Sequence, residues 1–159
     1  MHREDLESVR DRLPKLVFDY VIARRPGLSR AFRQVGGSEP RPRRRSHEVS
    51  IDFNGSGLVA NIGTLVAGGI GPSIERIKRK MWDLKVARDL NQSPLLRLHH
   101  EMLVQRPAND DPQLTQRQLD NLQTAIDDLE KQADTEEIRF RPLTTVQEIG
   151  EHILKAEAA

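Results

Sequence analysis

Residues 55–72 read GSGLVANIGTLVAGGIGP and hold six of the ten glycines of the chain: Gly55, Gly57, Gly63, Gly68, Gly69 and Gly71. What this apolar stretch becomes decides the fold. Its uncharged centre, Leu58 to Ile70, would reach about 20 Å as a helix, against the roughly 30 Å of a bilayer core. It also carries Asn61 and Thr64. No membrane span is expected, and the stretch reads as a buried core segment. Gly63, Ala67 and Gly71 stand at four-residue spacing, which suits close backbone packing.

The start of the stretch, Gly55-Ser56-Gly57-Leu58-Val59-Ala60, follows the strand-like VSIDFN and fits the spacing of the dinucleotide fingerprint G-x-G-x-x-G/A. That fingerprint needs a second parallel strand ending in an acidic residue about 20 residues on. The corresponding region here is the charged GPSIERIKRKMWD, and no Gly-Lys-Ser/Thr phosphate loop exists. A turn is the simpler expectation, and nucleotide or phosphate binding at the Gly55–Gly57 turn is the third functional reading.

Working outward, residues 47–54 (HEVSIDFN) alternate Val49, Ile51 and Phe53 with Ser50 and Asp52, the pattern of a half-buried strand. Far downstream, Ile138 and Phe140 alternate with Arg139 and Arg141. Short strands are marginal alone, so residues 48–53 are predicted to pair with residues 137–142. Helices follow the glycine-rich stretch. Pro72 and Ser73 open one with Ile74, Ile77, Met81 and Leu84 on a face. Ser93 and Pro94 read as N-cap and first turn of another, with Leu95, Leu98, Met102 and Leu103 inward. Thr115 and Gln118 form a capping box before Leu119, Leu122, Ile126, Leu129 and Ala133. These two heptads suffice for a contact with a partner protein or a second copy. A last helix runs from Thr144 or Thr145 toward Lys155. At the other end, Leu6, Val9, Leu13, Leu16, Val17, Tyr20 and Val21 mark a helix, with a kink or break expected at Pro14. Ser29 is expected to cap a short helix reaching Val35.

The predicted fold class is α+β and predominantly α-helical, a helical bundle-like core with a short two-stranded antiparallel β element. Residues 1–37 form an N-terminal helical segment. Residues 38–46, SEPRPRRRS, form an Arg/Pro-rich arm or linker, and residues 47–159 the main α+β domain.

Composition narrows function. Hydrophobic residues make up 36% and charged residues 31% of the chain, a polar balance for a folded protein. The absence of cysteine removes disulfides, thiol nucleophiles and Cys-ligated zinc. The charged start MHREDLESVR lacks a secretory h-region, so a cytoplasmic location is expected. His99 and His100 are adjacent and cannot chelate as an i, i+4 pair, and Asp110-Asp111 and Asp127-Asp128 lack facing geometry. No catalytic residue, cofactor or metal site is assigned.

The net charge of +1 conceals a polarity: residues 1–100 carry 19 Lys/Arg and 11 Asp/Glu, residues 101–159 carry 6 and 13. Arg41, Arg43, Arg44 and Arg45 lie in the arm, and Arg76, Arg79 and Lys80 share a helix face opposite the apolar stripe. Two basic surfaces of this kind grip a phosphate backbone without reading sequence. The leading expectation is a non-enzymatic small helical subunit of a larger assembly that contacts nucleic acid or another polyanion. The acidic C-terminal third would meet a basic partner or a second copy. The alternative is a protein–protein adaptor or self-assembling structural protein. Arg88, which falls within the apolar stripe of its helix, is expected either to mark the helix end or to reach a carboxylate of the acidic third.

Overall fold

The structure is a computed structural model that describes residues 3–32, 49–90 and 99–158, with side chains from Arg12 onward. A helix α1 (Arg3–Arg24) and a 3-10 turn (Pro26–Ala31) precede a four-stranded sheet. Its strands are β1 (Phe53–Asn54), β2 (Leu58–Thr64), β3 (His99–Gln105) and β4 (Arg139–Leu143), in spatial order β1-β2-β3-β4. β1 is antiparallel to β2, whereas β2, β3 and β4 are mutually parallel. Helices α2 (Ile70–Leu90) and α3 (Gln116–Thr135) make the two crossovers, and α4 (Val146–Ala158) follows β4.

The strand order advances in one direction, so two right-handed crossovers must place α2 and α3 on the same face. They share one core there, with Ile77, Met81 and Leu84 meeting Val59, Met102, Val104, Leu122, Leu129 and Phe140. The opposite face carries α1 and α4, where Leu13, Val17, Val21, Ile149 and Ile153 close over Leu58, Ala60, Ile62 and Leu103. Alternate side chains of β2 and β3 thus enter two different cores.

The chain is α+β and mostly helical, as expected, but its β structure is a mixed four-stranded sheet and its helices cover that sheet rather than form a bundle. Residues 48–53 and 137–142 do not pair. Phe53 lies opposite Ala60, and Phe140 lies opposite Met102, so the two segments border opposite edges of one sheet. The glycine-rich stretch becomes β2 and the entry to α2. The predicted inward face of a helix at Met102 and Leu103 is instead β3, whose neighbours point to opposite faces. Residues 91–98, with the expected cap at Ser93, lie outside the described residues. Both strands are buried on their two faces, and such strands read as continuous apolar runs without alternation. Pro14 sits within a single α1 helix. Residues 26–31 form a 3-10 turn, and Phe32 then bridges to Phe53, so no helix extends from Ser29 through Phe32.

Local signals that needed no partner hold. Thr115 caps α3 through a capping box with Gln118, and Thr145 Oγ1 accepts from the Glu148 amide at 3.1 Å. At the far end of α3, Glu137 takes a positive φ of 59°. The Ile138 amide returns to the Ala133 carbonyl and the Glu137 amide to that of Asp134, the Schellman arrangement. Arg88 donates to the carbonyls of Glu136 and Glu137. It therefore clamps this helix end by backbone oxygens, not by a carboxylate, and α2 continues past it to Leu90.

Two glycines admit close approach. A Cβ on Gly63 would lie 2.9 Å from Met102 Cε and 3.2 Å from Ile77 Cγ1, so its absence seats α2 on β2. A Cβ on Gly150 would lie 2.3 Å from the Tyr20 ring. Tyr20 fixes α1 to α4, its hydroxyl donating to Glu151 at 2.6 Å while the Arg24 guanidinium lies 3.5 Å over its ring.

Candidate anion-binding cleft and basic helix face

The seven residues expected to contact polyanion do not share one fate. Arg41, Arg43, Arg44 and Arg45 lie outside the described residues. Arg76 and Arg79 are exposed on α2. Lys80 is not part of a free surface. Its ammonium donates to Asp52 Oδ2 at 2.9 Å and to the Ile62 carbonyl at 2.6 Å. Asp52 also accepts from the Ile62 amide at 2.9 Å, and Asn61, 1% exposed, accepts from the Asp52 amide at 2.8 Å. The Asn61 amide group then donates to the carbonyls of Ser50 and Lys80. This network ties the segment before β1 and helix α2 to β2, satisfying groups that would be costly to bury unpaired.

What Lys80 leaves vacant on α2 is supplied by residues one turn away. Trp82 is 55% exposed, and its helical neighbours at i−4, i−3 and i+3 are Lys78, Arg79 and Lys85. The Lys85 ammonium lies 5.0 Å from the indole centroid. The sequence signal for Lys78 and Lys85 is their spacing from Trp82, one turn before and one turn after it.

The Gly55–Gly57 turn joins two antiparallel strands, with the Gly55 amide on the Leu58 carbonyl at 2.8 Å. No helix follows it, so the pyrophosphate geometry of the fingerprint is not built. Its amides do bind an anion, but the anion is the chain's own. Glu157, 6% exposed near the end of α4, accepts from Ser56 Oγ at 2.7 Å and from the Ser56 and Gly57 amides at 3.2 Å. A Cβ on Gly55 would fall 1.7 Å from Glu157 Oε1 and 2.7 Å from the Phe53 ring, so a side chain there would displace the carboxylate from the turn.

Beside this turn a cleft of about 570 Å³ opens at the amino ends of β2, β3 and β4, on the α4 side of the sheet. Its floor is Glu101, 3% exposed in the middle sheet strand β3. Glu101 Oε1 accepts from Arg141 Nε at 3.0 Å and faces His152 Nε2 at 2.8 Å. Burial alone would raise its pKa, but the bonds and charges of His152 and Arg141 outweigh burial and hold the carboxyl below its ordinary value. Around this ion pair stand Arg139 from β4, Lys155 from α4 and His99 from β3. All three are exposed, and none makes an ion pair with a described residue. Among the described residues the lining offers cations, imidazoles and one carboxylate but no hydroxyl.

The adjacency of His99 and His100 has a different meaning on a strand than on a helix. His99 opens toward the cleft, and His100 points to the buried opposite face. Among the described residues no group of three or more His, Asp or Glu side chains is placed to hold a metal ion, and no helix is long and apolar enough to cross a membrane. The α3 stripe expected to meet a partner is spent within the chain. Leu122, Ile126 and Leu129 are buried and Leu119 half-buried, so the stripe presents no free seam. No protein-family model, curated protein or solved structure matches the chain.

Proposed function

We propose that this protein is a non-enzymatic binding subunit that contacts nucleic acid, or another polyanion of similar charge density, through the outer face of α2. The reading is carried by one observation. Trp82, an aromatic half in solvent, is flanked along its helix by Lys78, Arg79 and Lys85. Ammonium and guanidinium groups engage phosphates while an exposed indole stacks on an unpaired base, a combination suited to single strands without sequence preference. The arginines at 41, 43, 44 and 45 would extend the same contact.

Trp82 is the single tryptophan of the chain, so its fluorescence reports binding directly. Titration with mixed-sequence oligonucleotides at 50 to 200 mM salt is expected to quench it saturably. Three phosphate contacts on a single strand give a slope of log affinity against log salt near −2, at about 0.7 per contact. Replacing Arg43, Arg44 and Arg45 together by alanine is expected to flatten any steeper slope by up to about two. Lys78→Ala with Lys85→Ala should weaken binding to every sequence alike. Absence of quenching at 50 mM salt would overturn the reading.

A further inference from the structure

We infer that the cleft beneath α4 is a second, separate anion site, built for the dianionic phosphate group of a small phosphate monoester. The sheet lies between it and α2, so it is not a continuation of the basic helix face.

Three observations converge. First, the cations come from separate elements. Arg139 and Arg141 are two residues apart on β4 and so point to the same face of the sheet, while Lys155 arrives from α4 and His99 from β3. Second, the lining is rich in cations. Three basic side chains, Arg139, Arg141 and Lys155, surround one lining carboxylate, Glu101, whose Oε1 takes both Arg141 and His152, while the neighbouring Glu157 is held by Ser56 and Gly57. Arg139 and Lys155 are left facing a common space without a described partner. Like charges gathered in a concavity repel unless an anion joins them. Third, Glu101 is held where it positions rather than blocks. Its bonds engage Arg141 and His152, leaving Arg139, Lys155 and His99 in the lining outside that cluster.

The ligand class follows from this set. A phosphate monoester presents three terminal oxygens and close to two charges at neutral pH. Arginine meets two oxygens in a fork, and lysine acts as a point charge on the third. A volume of about 570 Å³ leaves room for a small organic group beyond the phosphate. The neighbouring turn shows how this chain treats an oxyanion in the same corner of the fold, since Glu157 there takes amides and a hydroxyl. That position is filled from within, whereas no described side chain fills the cleft.

The test uses the full chain with inorganic phosphate, glycerol phosphate and succinate as probes, read by calorimetry and by thermal shift. Saturable binding of glycerol phosphate, tighter than that of inorganic phosphate, is the expected result. Arg139→Ala combined with Lys155→Ala should weaken it at least about tenfold. Both side chains are exposed and make no ion pair with a described residue, so the unliganded melting temperature should hold, which separates loss of the site from loss of the fold. Lys78→Ala with Lys85→Ala should leave phosphate binding unchanged, and the cleft variant should leave tryptophan quenching by oligonucleotide unchanged. Failure of either site is thereby distinguishable from failure of the other. No saturable binding at millimolar phosphate ester, or binding indifferent to the cleft variant, would overturn the proposal. Succinate bound as tightly as glycerol phosphate would overturn the assignment to phosphate.

Discussion

The two faces of the sheet treat positive charge in opposite ways. Under α2, the Lys80 ammonium turns inward to Asp52 and the Ile62 carbonyl, and every polar partner in that cluster is accounted for. Under α4, one buried carboxylate is satisfied by Arg141 and His152, yet Arg139 and Lys155 stand beside it with no described counter-charge. The first arrangement contributes to holding elements together. The second leaves charge directed at something outside the chain. A basic residue near a sheet is thus neither a fold device nor a binding device by type, and the difference lies in whether a neighbouring carboxylate is already taken by other partners.

The welded face should be the more sensitive to a single change. Asp52→Ala would strand the Lys80 ammonium and the Ile62 amide in a largely buried setting. Breaking such a pair costs about 3–5 kcal/mol when fully buried, and the one-third exposure of the Lys80 side chain reduces the expectation to about 2–3 kcal/mol. Urea denaturation measures it. A loss under about 0.5 kcal/mol, the scale of an ordinary surface substitution, would show that the network does not carry the α2 face.

A smaller loss is expected where α1 meets α4. Gly150→Ala forces a methyl group into the Tyr20 ring, and overpacking costs about 1–3 kcal/mol. The helix preference for alanine returns roughly 1 kcal/mol of this, so a net loss of up to about 2 kcal/mol should appear in the same denaturation experiment. Combining it with Tyr20→Ala should remove most of the steric part. If the double variant shows no such relief, α1 is not seated through this contact.

The smallest effect is a pH dependence that sharpens the contrast. Glu101 has a depressed pKa in the folded chain. Its contribution to stability is therefore present above its unfolded value of about 4.3 and lost as pH falls through the lower folded value. Glu101→Gln should flatten the stability profile below about pH 4.3 relative to wild type. Equal slopes in the two proteins would mean that His152 and Arg141 do not hold this carboxylate charged.

Much of the candidate site is invisible along the chain. Glu101 is 40 residues from Arg141 and 51 from His152, and no local motif joins them. One signal was available. Glu101 opens directly onto the apolar run Met102-Leu103-Val104, and a charge carried into the interior with such a run needs a partner. On a strand this residue faces α4, whereas the helix expected for Met102 and Leu103 assigns it no partner. The alternation of Arg139 and Arg141 did mark one face of a strand correctly, but what that face looks onto depends on α4.

Local chemistry by itself determined the capping box at Thr115 and Gln118, the inward stripe of α3, the apolar face of α2 and the strand alternation at residues 139–141. Each rests on side chains within a few residues of one another, whose energetics change little when the rest of the chain moves. The tertiary structure alone decided that residues 58–64 and 99–105 are strands, because helices cover both faces of the sheet and erase the period of two. It also decided that Lys80 belongs to Asp52 while Arg139 and Lys155 remain open. Charge pairing depends on distances of a few ångströms between residues far apart in sequence, and those distances exist only once the sheet has formed.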